Sequence, residues 1–557
     1  MPNRNMPVGV DDFKEVCENY YMVDKTDFIR QLIDGHSKVT LITRPRRFGK
    51  TLTMSMLDYF FSIEKQDETQ HLFDGLAIGR AGEEYMAHRG MYPTIFLTLR
   101  NTKKSDFPGF VRRLGDIMQM LYANHREALY GSDKLTELDK KYFDSVNSDT
   151  RDADTLEMSI LRLTEFLYKA YGRKVILLLD EYDVPIQHSW ECGYYKEGIA
   201  FMKNFLGNAL KGNPYLDFAV ITGVLRVGKE SIFSDLNNLD VCSVLSNIYS
   251  DVFGFTYAEV EKMTKDLGCP NQLPIIKSWY DGYHFGGHEI YNPWSVINFF
   301  RHENQPKPYW GNTSSNGLLQ EILPEAREKR LQEMKTLLQQ GTVWTPVNER
   351  IVYSDVRQDD LALYTLLLTT GYLTVVDETQ DDEEPIYELR IPNKEVRSLY
   401  ASEILNRIAS GVGRKDFANM RRSMVTGQTK EFEYELQQIL CGMVSVYDTA
   451  NKESFYHGLM LGLVAMLYGG SYKVDSNRES GYGRFDIALT PRDKAHPGVI
   501  MEFKVAETPE GMEARAQEAL QQIDKKAYAT DLINAGVKNI WRYGISFCGK
   551  QVHIARS

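Results

Sequence analysis

The segment Lys38-Val-Thr-Leu-Ile-Thr43 runs directly into Arg44-Pro-Arg-Arg-Phe-Gly-Lys-Thr51, and few folds accommodate both. A short, unbroken apolar run reads as a strand covered on both faces, the habit of parallel sheets. A phosphate loop of the form G-x-x-x-x-G-K-[ST] follows such a strand and opens a helix, where backbone N–H groups and the helix N-terminus favour negative charge. Gly49, Lys50 and Thr51 fill the last three positions, and Arg44 stands where the first glycine belongs. Taken alone, these residues leave two readings open: a variant phosphate loop, or a basic loop capping an ordinary helix.

Three further apolar runs, Thr94–Leu99, Lys174–Asp180 and Leu216–Thr222, alternate with the helical patterns Thr51–Ile63 and Thr155–Tyr171. Strands alternating with helices predict an α/β fold with a largely parallel sheet. Val175-Ile-Leu-Leu-Leu-Asp180-Glu181 is an apolar strand ending in two acids. One carboxylate at such a tip can hold the hydration shell of magnesium, and its neighbour can orient the attacking water. Many P-loop ATPases with a catalytic glutamate insert a strand between the two motif strands, and Thr94–Leu99 is the candidate for it. Beyond the run ending at Thr222 stand Arg226 and Lys229. Thr222 could sense a γ-phosphate and Arg226 could stabilise developing charge; alternatively, Thr222-Gly223 is a turn and both cations are solvated.

At 557 residues, about two to four domains are expected. The expected division is a P-loop domain at 1–254, a helical and winged-helix-like region at 255–429, and a third domain at 430–557. In the middle region, Tyr257–Leu267 has a helical pattern, and Tyr291-Asn-Pro-Trp-Ser-Val begins another helix. Residues 355–405 read as helix, Gly371-Tyr-Leu-Thr-Val-Val, an acidic turn, and Ile386–Ile391. The acidic hairpin argues for a structural or coupling role over DNA contact. The aromatic cluster Trp279–Phe285 reads as packing before base stacking. Glycines 282, 286 and 287 argue against a helix there, so His284 and His288 are assigned no metal.

Near the C-terminus, Arg-Phe-Asp486-Ile-Ala-Leu-Thr and Val-Ile-Met-Glu502-Phe-Lys504-Val flank a turn-forming cluster, which predicts a β-hairpin. Glu502 and Lys504 then share a face. A turn centred near Lys494 sets Asp486 opposite Glu502, with Cβ atoms about 5 Å apart. Two acids and a lysine on one face suit metal-assisted phosphodiester hydrolysis: the acids would hold Mg²⁺, and Lys504 would position water or stabilise charge. An E-x-K pair on a strand is also a common solvated charge pair. A helical segment Glu453–Leu467 precedes the hairpin, and a helix and a strand at Asn539–Ser546 follow it.

Long strings then carry a resemblance. Tyr20-Tyr-Met-Val-Asp-Lys25, the loop 44–51, Leu179-Asp-Glu-Tyr-Asp183, Thr222-Gly-Val-Leu-Arg226 and Ser231-Ile-Phe-Ser-Asp-Leu-Asn-Asn-Leu239 resemble the prokaryotic AAA-ATPase-like family. So do Trp279-Tyr-Asp-Gly-Tyr-His-Phe-Gly286 and Tyr291-Asn-Pro-Trp294. Members commonly carry a C-terminal PD-(D/E)xK nuclease-like domain of restriction-endonuclease-like α/β fold. The resemblance implies that the arginine at the first loop position is part of the family pattern. It also implies ATP and Mg²⁺ as cofactors, held by Arg46, Arg47, Phe48, Gly49, Lys50, Thr51, Asp180, Thr222 and Arg226. Glu181 would activate water, and Thr51 and Asp180 would take the nucleotide's metal. At the second site, Asp486, Glu502 and Lys504 match the PD-(D/E)xK positions. Glu453 stands where a further acidic ligand often lies, and Gln521 and Tyr528 where related nucleases contact the site. Phe485 replaces the proline before the first acid.

The net charge of −11 weighs against non-specific coating of nucleic acid, but acids and bases nearly balance after Cys441, so a local groove stays open. No apolar run approaches the roughly 18–20 residues that span a bilayer. The N-terminus has no apolar signal core, and the six cysteines are scattered without a C-x-x-C pair. The expectation is a cytoplasmic protein with no membrane partner. Two functions are carried forward: an ATPase gating a nuclease that acts on nucleic acid, DNA before RNA, or a nucleotide-dependent switch that binds nucleic acid or protein without cutting. A homo-oligomer stays open in either case.

Overall fold

The computed structural model describes residues 5–443, apart from 70, 149–151, 227–232, 234–238, 312–332, 334–335, 338–340, 350–359, 381–384 and 401–413. Beyond them it describes 456–457, 459–460, 463–464, 472–476, 479–480 and 483–557. These residues fall into two compact units, one within Met1–Trp310 and Trp344–Asn393, the other within Gly311–Val343 and Lys394–Ser557. The region expected to stand apart at 255–429 is therefore divided between them. Among the described residues no helix is long and apolar enough to cross a membrane.

In the first unit, β1 (Val39–Thr43), β2 (Thr94–Thr98), β3 (Val175–Asp180), β4 (Leu216–Gly223) and β5 (Leu239–Cys242) form a sheet in the order β2-β3-β4-β1-β5. All its pairings are parallel. Every residue of β1 and β3 is buried, which is why their sequences are apolar without alternation. The strand lying between β1 and β3 is β4, and not the run at 94–99, which sits at the end of the order as β2. Chain order misled here because each right-handed crossover fixes only the side on which a strand lands. The consequence is functional, because the tip of β4 is inserted between the two motif strands.

The aromatic and glycine-rich segment folds onto this core. β6 (Phe255–Thr256), β7 (Tyr283–Phe285) and β8 (His288–Tyr291) make a small antiparallel sheet in the order β6-β8-β7. Tyr280, Tyr283, Phe285 and Tyr291 are buried, in keeping with the packing reading. The helix Asp360–Thr369 precedes a hairpin, β10 (Thr374–Gln380) and β11 (Pro385–Arg390), joined by β9 (Val343–Pro346) in the order β10-β11-β9.

The second unit holds a mixed sheet in the order β12-β15-β16-β17-β18, formed by β12 (Tyr472–Ser476), β15 (Ile487–Pro491), β16 (Gly498–Val505), β17 (Ile540–Cys548) and β18 (Gln551–Arg556). A ribbon of β13 (Glu479–Ser480) and β14 (Gly483–Arg484) lies between β12 and β15 in sequence. One face carries Val499, Met501 and Phe503, in a core with Phe432 and Leu436 of the helix Thr429–Met443. The other carries Ala488 and Ile500, packed with Ala516, Leu520 and Ile523 of the helix Met512–Lys525. That helix lies close because Gly544 of β17 has no side chain: a Cβ there would stand 2.1 Å from the Ala516 carbonyl oxygen. Gly544→Ala should lower the unfolding free energy by about 1–3 kcal/mol, because the opposing atom is backbone and cannot swing aside. Chemical denaturation followed by far-UV circular dichroism checks this.

Candidate nucleotide and nuclease-like sites

β1 delivers the chain to loop 44–49, and the helix Lys50–Phe61 leaves it. The turn needs left-handed backbone at Arg47 (φ 70°) and Gly49 (φ 86°). No side chain caps the helix N-terminus, which leaves its first N–H groups directed at the loop. Thr51 Oγ1 donates to Asp180 Oδ2 at 2.7 Å, and Thr222 Oγ1 donates to Asp180 Oδ1 at 2.5 Å. Asp180 is fully buried, so the tips of two strands and the first turn of the helix meet on one carboxylate. The buried Lys50 Nζ donates to the carbonyls of Arg44 (2.9 Å) and Pro45 (3.0 Å). Burial pushes its pKa down, against the opposing pull of Glu181, Asp180 and Asp183.

Glu181 sits just past the strand tip at φ 55°, a left-handed conformation uncommon outside glycine and a recurrent mark of functional residues. Burial raises its pKa, reinforced by Asp180 and Asp183 and opposed by Lys50. Asp183 is a residue that motif reading passed over. Its Oδ2 accepts from the backbone N–H of Val224 (2.8 Å) and Leu225 (3.0 Å), and Tyr182 Oη donates to the Leu225 carbonyl at 2.7 Å. Asp183 thus ties the turn after β3 to the turn after β4, two residues before Arg226. Gly223 permits the contact, since a Cβ there would meet the Tyr182 ring at 2.7 Å. The available signal was a third acid in Asp-Glu-Tyr-Asp, with a helix starting at Val184.

Arg44, Arg46, Arg47 and Phe48 have distinct tasks. Arg44 is fully buried and directed away from the helix N-terminus. Its Nη1 donates to the carbonyls of Thr43 and Cys242 at 2.9 Å, and its Nη2 to that of Tyr249 at 3.0 Å. The guanidinium also lies 5.2 Å from the Phe285 ring centroid and 5.7 Å from that of Phe253. Burial brings its pKa down to about 10, so it stays charged at neutral pH. Arg46 donates to Gln187 Oε1 at 2.9 Å, and Arg47 stacks 3.8 Å over Trp294. The Phe48 side chain is buried against Tyr283 and Phe285, which leaves only its backbone to face a phosphate. Arg226 is half-buried beside the β4 turn.

In the second unit, β15 and β16 pair antiparallel with Ile487 opposite Met501. This is the register that the hairpin pattern predicts, and Asp486 lies one residue before the ladder. Asp486 Oδ2 accepts from the Phe503 N–H at 2.8 Å. Glu502 is buried, and its Oε1 accepts from Lys504 Nζ at 3.4 Å and from Gln522 Nε2. Gln522 Nε2 also contacts Tyr528 Oη at 3.2 Å. The glutamine that meets the acid is therefore Gln522, whereas Gln521, the expected contact, is exposed one position round the helix. Burial raises the Tyr528 pKa, with Glu502 and Asp486 adding to it. Glu453 lies outside the described residues. Among the described residues no group of three or more His, Cys, Asp or Glu could hold a metal. The hard oxygens of Asp486 and Glu502 nevertheless suit Mg²⁺, which keeps several waters and commonly takes one or two carboxylates.

Residues 7–233 match the family model described as predicted AAA-ATPase, and residues 451–557 match the PD-(D/E)XK nuclease superfamily. The chain joins a predicted AAA-ATPase-like domain to a C-terminal PD-(D/E)XK nuclease superfamily domain. It is also 27% identical, over 573 residues, to a protein of Azotobacter chroococcum mcd 1 described as "Uncharacterized protein in vnfD 5'region". That similarity takes in 98% of this chain and 97% of the other.

Two outcomes follow. Arg44→Gly, which restores the usual loop glycine, should destabilise the protein by about 3 kcal/mol, because three buried carbonyls lose their donor; thermal unfolding without nucleotide measures it. Glu181 holds its proton to higher pH in the folded state than in the unfolded chain, so stability falls as pH rises from the ordinary carboxylate range through the raised value. Glu181→Gln removes that loss. The variant should exceed wild type in stability at about pH 7, with the gap closing near pH 4; urea denaturation across that range reads the difference.

Proposed function

We propose that this protein binds Mg-ATP at loop 44–51 and hydrolyses it, and that nucleotide gates magnesium-dependent phosphodiester cleavage by the C-terminal unit, with DNA as the first substrate to test. The observation that carries the reading is the Thr51 hydroxyl on the Asp180 carboxylate, a phosphate-loop residue bonded to a strand-tip acid. When bound, magnesium supplies neutralisation of the phosphate charge. Lys50 would exchange its two loop carbonyls for phosphate oxygens, while Thr51 and Asp180 would hold the hydrated metal. Glu181, raised in pKa and fixed by its backbone, would accept a proton from the attacking water. Thr222 and Arg226 would respond to the terminal phosphate. In the second unit Asp486 and Glu502, with Glu453 as a further acid, would take magnesium, and Lys504 would orient water. The six unpaired cysteines fit a reducing cytoplasm.

A second reading, a nucleotide-dependent switch that binds without cutting, is favoured by the contacts of Lys504 and Gln522 with Glu502 Oε1, which engage the acid that would hold the metal. Two assays separate the readings. Mg-ATP at a hundredfold excess over its dissociation constant should stabilise wild type by about 2.7 kcal/mol, and Lys50→Ala should not respond. A magnesium-dependent cleavage assay on single- and double-stranded DNA and RNA should show activity that Lys504→Ala loses. Stabilisation without cleavage of any substrate selects the switch. No stabilisation by nucleotide overturns both.

A further inference from the structure

The helix Val184–Glu191 begins beside Asp183 and ends in a cluster that the nucleotide chemistry does not use. Cys192 is exposed, and its Sγ lies 3.5 Å from His188 Nε2. On the other side of the ring, His188 Nδ1 lies 3.1 Å from Glu191 Oε2. The carboxylate can only accept, so it sets the imidazole proton on Nδ1 and leaves the Nε2 lone pair facing the thiol. Thiol, imidazole and carboxylate thus stand in the order that activates a nucleophile: a base in hydrogen-bond reach of the thiol, oriented by a third group. The cluster is one side chain from the phosphate loop. Glu191 Oε1 accepts from Gln187 Nε2 at 2.8 Å, and Gln187 Oε1 accepts from Arg46 at 2.9 Å.

We propose that Cys192 is a reactive thiol, activated by His188 and Glu191, that is modified by soft electrophiles and by peroxides. The Sγ proton passes to His188 Nε2, and the thiolate attacks. With an alkyl iodide, a sulfur–carbon bond forms and iodide leaves. With hydrogen peroxide, a sulfur–oxygen bond forms, the O–O bond breaks, and the departing hydroxide takes the imidazolium proton to leave as water, giving the sulfenic acid. Glu191 stabilises the imidazolium in either case and is not consumed.

Cys441 supplies the internal comparison, since it is also exposed and, among the described residues, its polar contact is a glutamine amide, Gln437 Nε2 at 3.2 Å. The experiment alkylates the full-length protein with iodoacetamide at neutral pH and follows each cysteine by peptide mass spectrometry. Cys192 is expected to react roughly three- to tenfold faster than Cys441, because His188 Nε2 stands within reach of its proton and no imidazole stands by the Cys441 thiol among the described residues. His188→Asn should bring Cys192 down to the rate of Cys441, and Glu191→Gln to an intermediate rate. Dilute hydrogen peroxide with a sulfenic-acid trap should label Cys192 first. Equal alkylation of the two cysteines in wild type, or a ratio unchanged by His188→Asn in protein with wild-type circular dichroism, overturns the proposal.

Discussion

Asp180 is a carboxylate removed from water, and the loop end of the first unit is arranged to meet its two oxygens. Thr51 serves one and Thr222 the other. A buried acid without such donors would cost several kcal/mol, so the helix after the loop and the tip of β4 are both held in place by the same requirement. That is possible only because β4 lies between β1 and β3. The strand order is thus a condition of the site as well as a description of the sheet.

Arg44 solves the complementary problem. A loop with two left-handed residues has little to hold it when empty, and a glycine at its start would add freedom. Here the first position carries a guanidinium that ties the loop to β5 and to the Tyr249 turn through backbone carbonyls. The charge is kept by three acceptors and two aromatic faces, with a further coulombic pull from Glu349. Phe48 and the Trp294 face under Arg47 complete the clamp, which explains why the aromatic segment near 279–294 accompanies this loop.

The second unit rests on close approach. Gly544 lets the helix Met512–Lys525 settle on the sheet, and that contact brings Gln522 onto Glu502 and near Tyr528. Ile487 stays opposite Met501 because strand pairing propagates a register from residues whose apolar faces are both buried, and this leaves Asp486 beside the Phe503 N–H. A slip of one residue would turn Glu502 into the apolar core now filled by Met501 and Phe503.

Local patterns were enough to read the parallel sheet, the two motif strands and the hairpin register, because burial on both faces and period-two alternation leave direct marks in residue order. The same patterns marked Lys50, Thr51, Asp180, Asp486, Glu502 and Lys504 by type and spacing alone. They could not show that β4 rather than β2 separates the motif strands, that Phe48 turns into the core, or that Gln522 meets Glu502 in place of Gln521. Nor could they show that Asp183 binds the β4 turn or that Arg44 points away from the helix N-terminus. Each of these depends on which distant backbone lies within about 3 Å of a given side chain, and that is decided by how the layers pack. The sequence by itself determined the chemistry on offer; tertiary packing decided which oxygen each donor would reach.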